Sequence, residues 1–107
     1  MQTERTPSRT FLVEHYWPGS TVAEFKAAAD SVRAAAETMA LGAAPIRFLH
    51  STLVPEDENA FCVFSAASAT LVEEAYRRAG VRFEGVREAL ELEPPPARRA
   101  QRKRARS

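Results

Sequence analysis

The chain is poor in the residues that usually announce a chemistry. Among 107 positions it has one cysteine, two histidines, four glycines and one tryptophan. A single cysteine cannot close an internal disulfide, so Cys62 is a reduced thiol, a ligand or an intermolecular bridge. Stability must then come from packing and from assembly. No apolar run approaches the ~20 residues of a membrane span. The polar start Met1-Gln-Thr-Glu-Arg-Thr-Pro-Ser lacks the basic region and greasy stretch of a secretory signal. A cytoplasmic protein with no membrane partner is expected. No enzyme motif is present.

What the chain does contain fits one globular unit with tails: 45% of residues are apolar and 27% charged. The net charge of +1 conceals a division. Arg98, Arg99, Arg102, Lys103, Arg104 and Arg106 crowd the last eleven residues without an acid, leaving nine basic against fourteen acidic side chains elsewhere. Pro94-Pro95-Pro96 separates the acidic body from the basic tail, because three prolines continue neither a helix nor a central strand. The expected organisation is a disordered segment over 1–8, a domain over 9–93, and a proline linker with a disordered basic tail over 94–107. Such a tail contacts nucleic acid only weakly and nonspecifically, since it has no interleaved aromatics for base stacking.

Periodicity supplies the elements. Arg9 to Trp17 is rich in β-branched and aromatic residues and stops at Pro18-Gly19, which predicts a first strand and a turn. Thr21 followed by Glu24 is a capping box, and Val22, Phe25, Ala29, Val32, Ala36 and Met39 recur at helical spacing. A helix from Val22 to Leu41 follows, closed by Gly42 in a left-handed cap. Ile46 to Val54 alternates as a second strand, with Ile46, Phe48, His50, Thr52 and Val54 expected on one face. After the polar loop Pro55 to Asn59, Ala60 to Ser65 forms a third strand with Cys62 and Phe64 on one face. Ser68 is a plausible cap for a second helix over Ala69–Ala79, ended by Gly80, and a fourth strand runs from Gly85 or Val86 to Leu92.

The order β-α-β-β-α-β is the α+β ferredoxin-like arrangement, two helices on one face of an antiparallel sheet. Every strand also carries apolar residues toward the other face, as Leu12 and Tyr16 show beside Phe11 and Val13. A homodimer closing two open faces into an α/β barrel would cover them.

The chemistry-bearing residues gather around the middle strands. In this topology strand three lies between strands one and two, so His15, His50 and Cys62 come together if their side chains share a face. Imidazole and thiolate suit nickel, zinc or copper rather than calcium or magnesium. Asp57 and Glu58, in the acidic turn Glu56-Asp-Glu, are auxiliary oxygen donors. The expected metal site is therefore His15, His50, Cys62, Asp57 and Glu58. The structural counterpart to this reading is a buried Cys62 acting as a small hydrophobe, a hydrogen-bonded His50 and a solvated acidic turn.

Phe11-Leu-Val-Glu-His with Pro18-Gly19, then Asp57 through Phe61-Cys62-Val63-Phe64, then Arg77-Arg78-Ala79-Gly80 before a last strand, resembles a bacterial family of short ferredoxin-like nickel-binding domains. The resemblance covers residues 9 to 93 and implies a homodimer carrying nickel at its surface. Members often have a histidine in the second helix just ahead of the paired arginines, where this chain reads Glu73-Glu74-Ala75-Tyr76-Arg77-Arg78. The expectation is a non-catalytic homodimer that binds a divalent transition metal, nickel by resemblance. Two alternatives differ in class. One is a dimeric α/β-barrel enzyme, a monooxygenase or isomerase, using His15 or His50 with Glu14 or Glu88 as base. The other is an interaction module acting through the basic tail.

Overall fold

A computed structural model describes residues 8–90 and 92. The proline linker and basic tail over 94–107, and all of the N-terminal segment except Ser8, lie outside the described residues. The elements run β1 (Arg9–Tyr16), α1 (Val22–Leu41), β2 (Ile46–Val54), a 3-10 turn (Pro55–Asp57), β3 (Asn59–Ala66), α2 (Ala69–Ala79) and β4 (Gly85–Ala89). The strands form one antiparallel sheet in the order β2-β3-β1-β4. This is the ferredoxin-like α+β arrangement expected from the element order. No described helix is long and apolar enough to cross a membrane.

The capping box forms as the sequence predicts. Thr21 Oγ1 accepts from the Glu24 amide at 3.0 Å, and Glu24 Oε1 accepts from the Thr21 amide at 2.9 Å. From that fixed start α1 buries Phe25, Ala29, Val32, Ala36 and Met39, a stripe at three- and four-residue spacing whose alanines let the helix lie close to the sheet. Its end differs from expectation. Gly42 sits at φ −87°, and the left-handed position falls on Ala43 at φ +76°. Helix α2 buries Val72, Ala75 and Tyr76 and ends on Gly80 in the left-handed region, as expected. Ser68 occupies the cap position of α2 without a side-chain hydrogen bond.

The core lies between the helices and one sheet face. Phe11, Val13 and His15 of β1 stand on that face beside Ala60, Cys62, Phe64 and Ala66 of β3. Phe11, Phe64 and Tyr76 are sealed from solvent, and each contributes on the order of 2 kcal/mol by burial. Strand β4 is shorter than predicted, and Leu90 and Leu92 beyond it are exposed.

Strand β2 corrects the expected pattern of faces. Phe48 pairs with Phe64, but the next partner pair is His50 with Val63, so a β-bulge absorbs Leu49. A slip of one residue exchanges the two faces of every later position. Ile46 and Phe48 therefore pack on the core, whereas His50, Thr52 and Val54 turn to the open face and Leu53 turns inward against the core. The open face carries Leu12, Phe61 and Val63 along its centre.

Candidate metal centre

His15 is the one buried residue of charged or polar type among those described, with 2% of its surface exposed. It ends the inward row of β1, opposite Ala60 of β3. Trp17, Phe25 and Tyr76 surround its ring at centroid distances of 5.1, 5.7 and 5.4 Å. Nδ1 has no hydrogen-bond partner. Burial pushes the imidazole below its ordinary value of 6.5, with the Ala60 backbone and the charge of Glu84 pulling the other way. The ring is therefore neutral at neutral pH, with a lone pair on one of its nitrogens.

On one side the ring lines a cleft of about 100 Å³, shared with Trp17, Thr21, Phe25, Leu53 and Glu58. Glu58 reaches this cleft because of its local backbone. Pro55 opens the 3-10 turn with its fixed φ, and Glu58 closes it in the left-handed region at φ +54°. The Glu58 amide donates to the Pro55 carbonyl at 3.1 Å, and the Glu58 carbonyl accepts from the Trp17 amide at 3.3 Å. Its carboxylate Oε2 accepts from the Gly19 amide at 3.1 Å. The turn after β1 and the turn before β3 are thus tied together at the cleft mouth. A neutral imidazole inside and a carboxylate at the rim form a nitrogen and oxygen donor pair suited to a divalent transition metal.

On its other side His15 lines a small void with Cys62, Tyr76 and Trp17 that has no room for a water molecule. Cys62 faces Val13, two pairs along from the His15–Ala60 pair and on the same sheet face. It is 1% exposed, and burial pushes its thiol up to about 11, against a weaker downward pull from Tyr76. At neutral pH it is a protonated thiol packed in the core, the hydrophobe reading of the lone cysteine. Tyr76 is fully buried beside it, and the buried indole nitrogen of Trp17 has no hydrogen-bond partner.

Of the five residues expected at the site, the fold brings His15 and Glu58 to one cleft and places Cys62 behind His15. It does not bring in the others. His50 is exposed on the opposite sheet face because of the bulge, and Asp57 is exposed on the 3-10 turn. Among the described residues no three His, Cys, Asp or Glu side chains gather in a group that could hold a metal ion. Of the catalytic pairings considered from sequence, His15 with Glu14 is not formed, and the Glu88 carboxylate has another partner. Glu14 alternates away from His15 onto the open face, and Glu88 pairs with Arg9 at 3.3 Å. The sequence reading missed the aromatic enclosure that Trp17, Phe25 and Tyr76 build around His15. No short-range pattern signals that convergence.

Fold and cleft together define a small α+β ferredoxin-like protein with a buried histidine at the end of its first strand. The model of the family described as nickel responsive protein SCO4226-like matches residues 11–88, and the chain belongs to that family. The crystal structure of SCO4226 from Streptomyces coelicolor A3(2) has the same fold, with a TM-score of 0.64 and 20% sequence identity, covering 78% of this chain and 99% of that one. No curated protein matches the chain.

Proposed function

We propose that this protein binds a divalent transition metal, nickel in the first instance, in the cleft between the β1–α1 turn and the 3-10 turn. It acts as a binding protein and not as a catalyst. His15 is the nitrogen donor and Glu58 the oxygen donor, with water completing the shell. The observation that carries this reading is a buried imidazole with no partner at Nδ1, held neutral, that lines the same cleft as a carboxylate. A proton then does not compete with the metal at neutral pH. The nickel-responsive description of the family supports the choice of ion. Cys62 packs the core behind the site, and its thiol proton disfavours it as a ligand.

The second part of the proposal is a homodimer formed through the open sheet faces. Leu12, Phe61 and Val63 supply its apolar centre, and Tyr16, 49% exposed, lies on the same face. His50 would then stand at the subunit interface, away from the cleft of its own subunit. The test of the metal reading is titration calorimetry with nickel on protein prepared without an affinity tag. The native chain is expected to bind, and His15→Ala and Glu58→Gln each to bind more than about tenfold more weakly. Equal binding by all three would remove the cleft as the site.

A further inference from the structure

We infer that the backbone amide of Gly19 is a positioning group for the metal ligand Glu58, an inference that rests on the cleft reading above. Glu58 follows a loop, and a loop carboxylate is free to sample many directions unless something fixes it. Here it is fixed from a distance of 39 residues in sequence. Gly19 N–H donates to Glu58 Oε2 at 3.1 Å, and Trp17 N–H donates to the Glu58 carbonyl at 3.3 Å, so two amides of one turn hold both ends of the same residue. With Oε2 committed to Gly19, Oε1 is left to face an ion in the cleft. Ligating carboxylates are commonly held by a hydrogen bond to their other oxygen in this way.

Both partners adopt the left-handed backbone that the contact needs, Gly19 at φ +84° and Glu58 at φ +54°. At Gly19 a Cβ would meet nothing within 4 Å, so the requirement for glycine is one of backbone angle and not of space. The turn after β1 thereby acts on the metal without supplying a ligand to it.

The test removes the single hydrogen. A chain assembled by ligation at the Phe61–Cys62 junction, with an ester in place of the Pro18–Gly19 amide, lacks the Gly19 N–H but keeps the freedom of glycine. Nickel affinity by calorimetry is expected to fall about tenfold relative to the all-amide chain made in the same way. In a Glu58→Ala background, which leaves Gly19 no side-chain acceptor, the ester is expected to cost nothing further, which a merely structural role of the turn would not produce. An ester chain that binds as tightly as the amide chain, or that loses the same factor in both backgrounds, overturns the inference while the metal reading stands. An all-amide chain that binds no better than His15→Ala overturns the metal reading and this inference with it. Circular dichroism reports whether the ester chain folds. If it does not, hydrogen exchange at Gly19 in the native chain decides: saturation with zinc should slow it at least about fivefold as the carboxylate is locked, and unchanged or faster exchange overturns the inference.

Discussion

His15 and His50 lie on opposite faces of one sheet, because the bulge between Phe48 and His50 turns the second imidazole away from the core that encloses the first. The two histidines of the chain therefore cannot share a metal within a subunit. His50→Ala is expected to leave nickel affinity within about twofold of native, as for independent sites. Calorimetry on this variant beside His15→Ala checks it, and a large loss at His50 would show that a second subunit delivers it to the ion.

Cys62 separates packing from ligation. Its side chain is sealed among Phe11, Val13 and Tyr76 in the same core cluster. Cys62→Ala should destabilise the fold by about 1–2 kcal/mol, since it opens a small void in a core that has little slack. The melting temperature should drop by several degrees while nickel affinity stays unchanged. Loss of binding without loss of stability would restore the thiol as a ligand.

Stability should fall away on both sides of neutrality. The buried imidazole of His15 resists the proton that the unfolded chain takes up near 6.5, so the folded state loses ground as pH drops below that value. In alkali the unfolded thiol ionises near 9 while Cys62 in the fold ionises only at about 11, and stability declines as pH rises between those values. The alkaline loss from this thiol is on the order of 3 kcal/mol. Tyr76, also raised by burial, adds to it above 10. Urea midpoints at pH 5, 7.5 and 10 measure the profile, and a level profile would contradict the burial of these groups.

Assembly can be tested apart from metal. Phe61 projects from the open face, where Thr52 and Glu14 flank it on the neighbouring strands. Phe61→Lys should convert a dimer to a folded monomer in light scattering, because two copies of the charge would meet across a twofold axis. A native chain that already scatters as a monomer would end the dimer proposal.

The legible part of this molecule was local. The Thr21–Glu24 box, the α1 stripe and the glycine that ends α2 are short-range patterns, and each appears where the residues demand it. The order of elements then limits the topology to the one observed. What stayed hidden depends on contacts across strands. Ile46 to Val54 alternates without a glycine or proline to mark Leu49 as the bulged residue, so the exchange of faces that removes His50 from the site has no signature in the strand itself. The role of Glu58 is hidden for a similar reason. Within an acidic turn it reads as one solvated carboxylate of three, and only the amide of Gly19 distinguishes it from Glu56 and Asp57.

The bulge has a further effect, on growth. Strand β2 is an outer strand, and its unpaired rim is a template on which another chain could add. Interrupting that rim at Leu49 breaks the regular spacing an incoming strand would need, and the other rim, β4, is only five residues long. Lateral stacking into filaments is thereby discouraged at both borders.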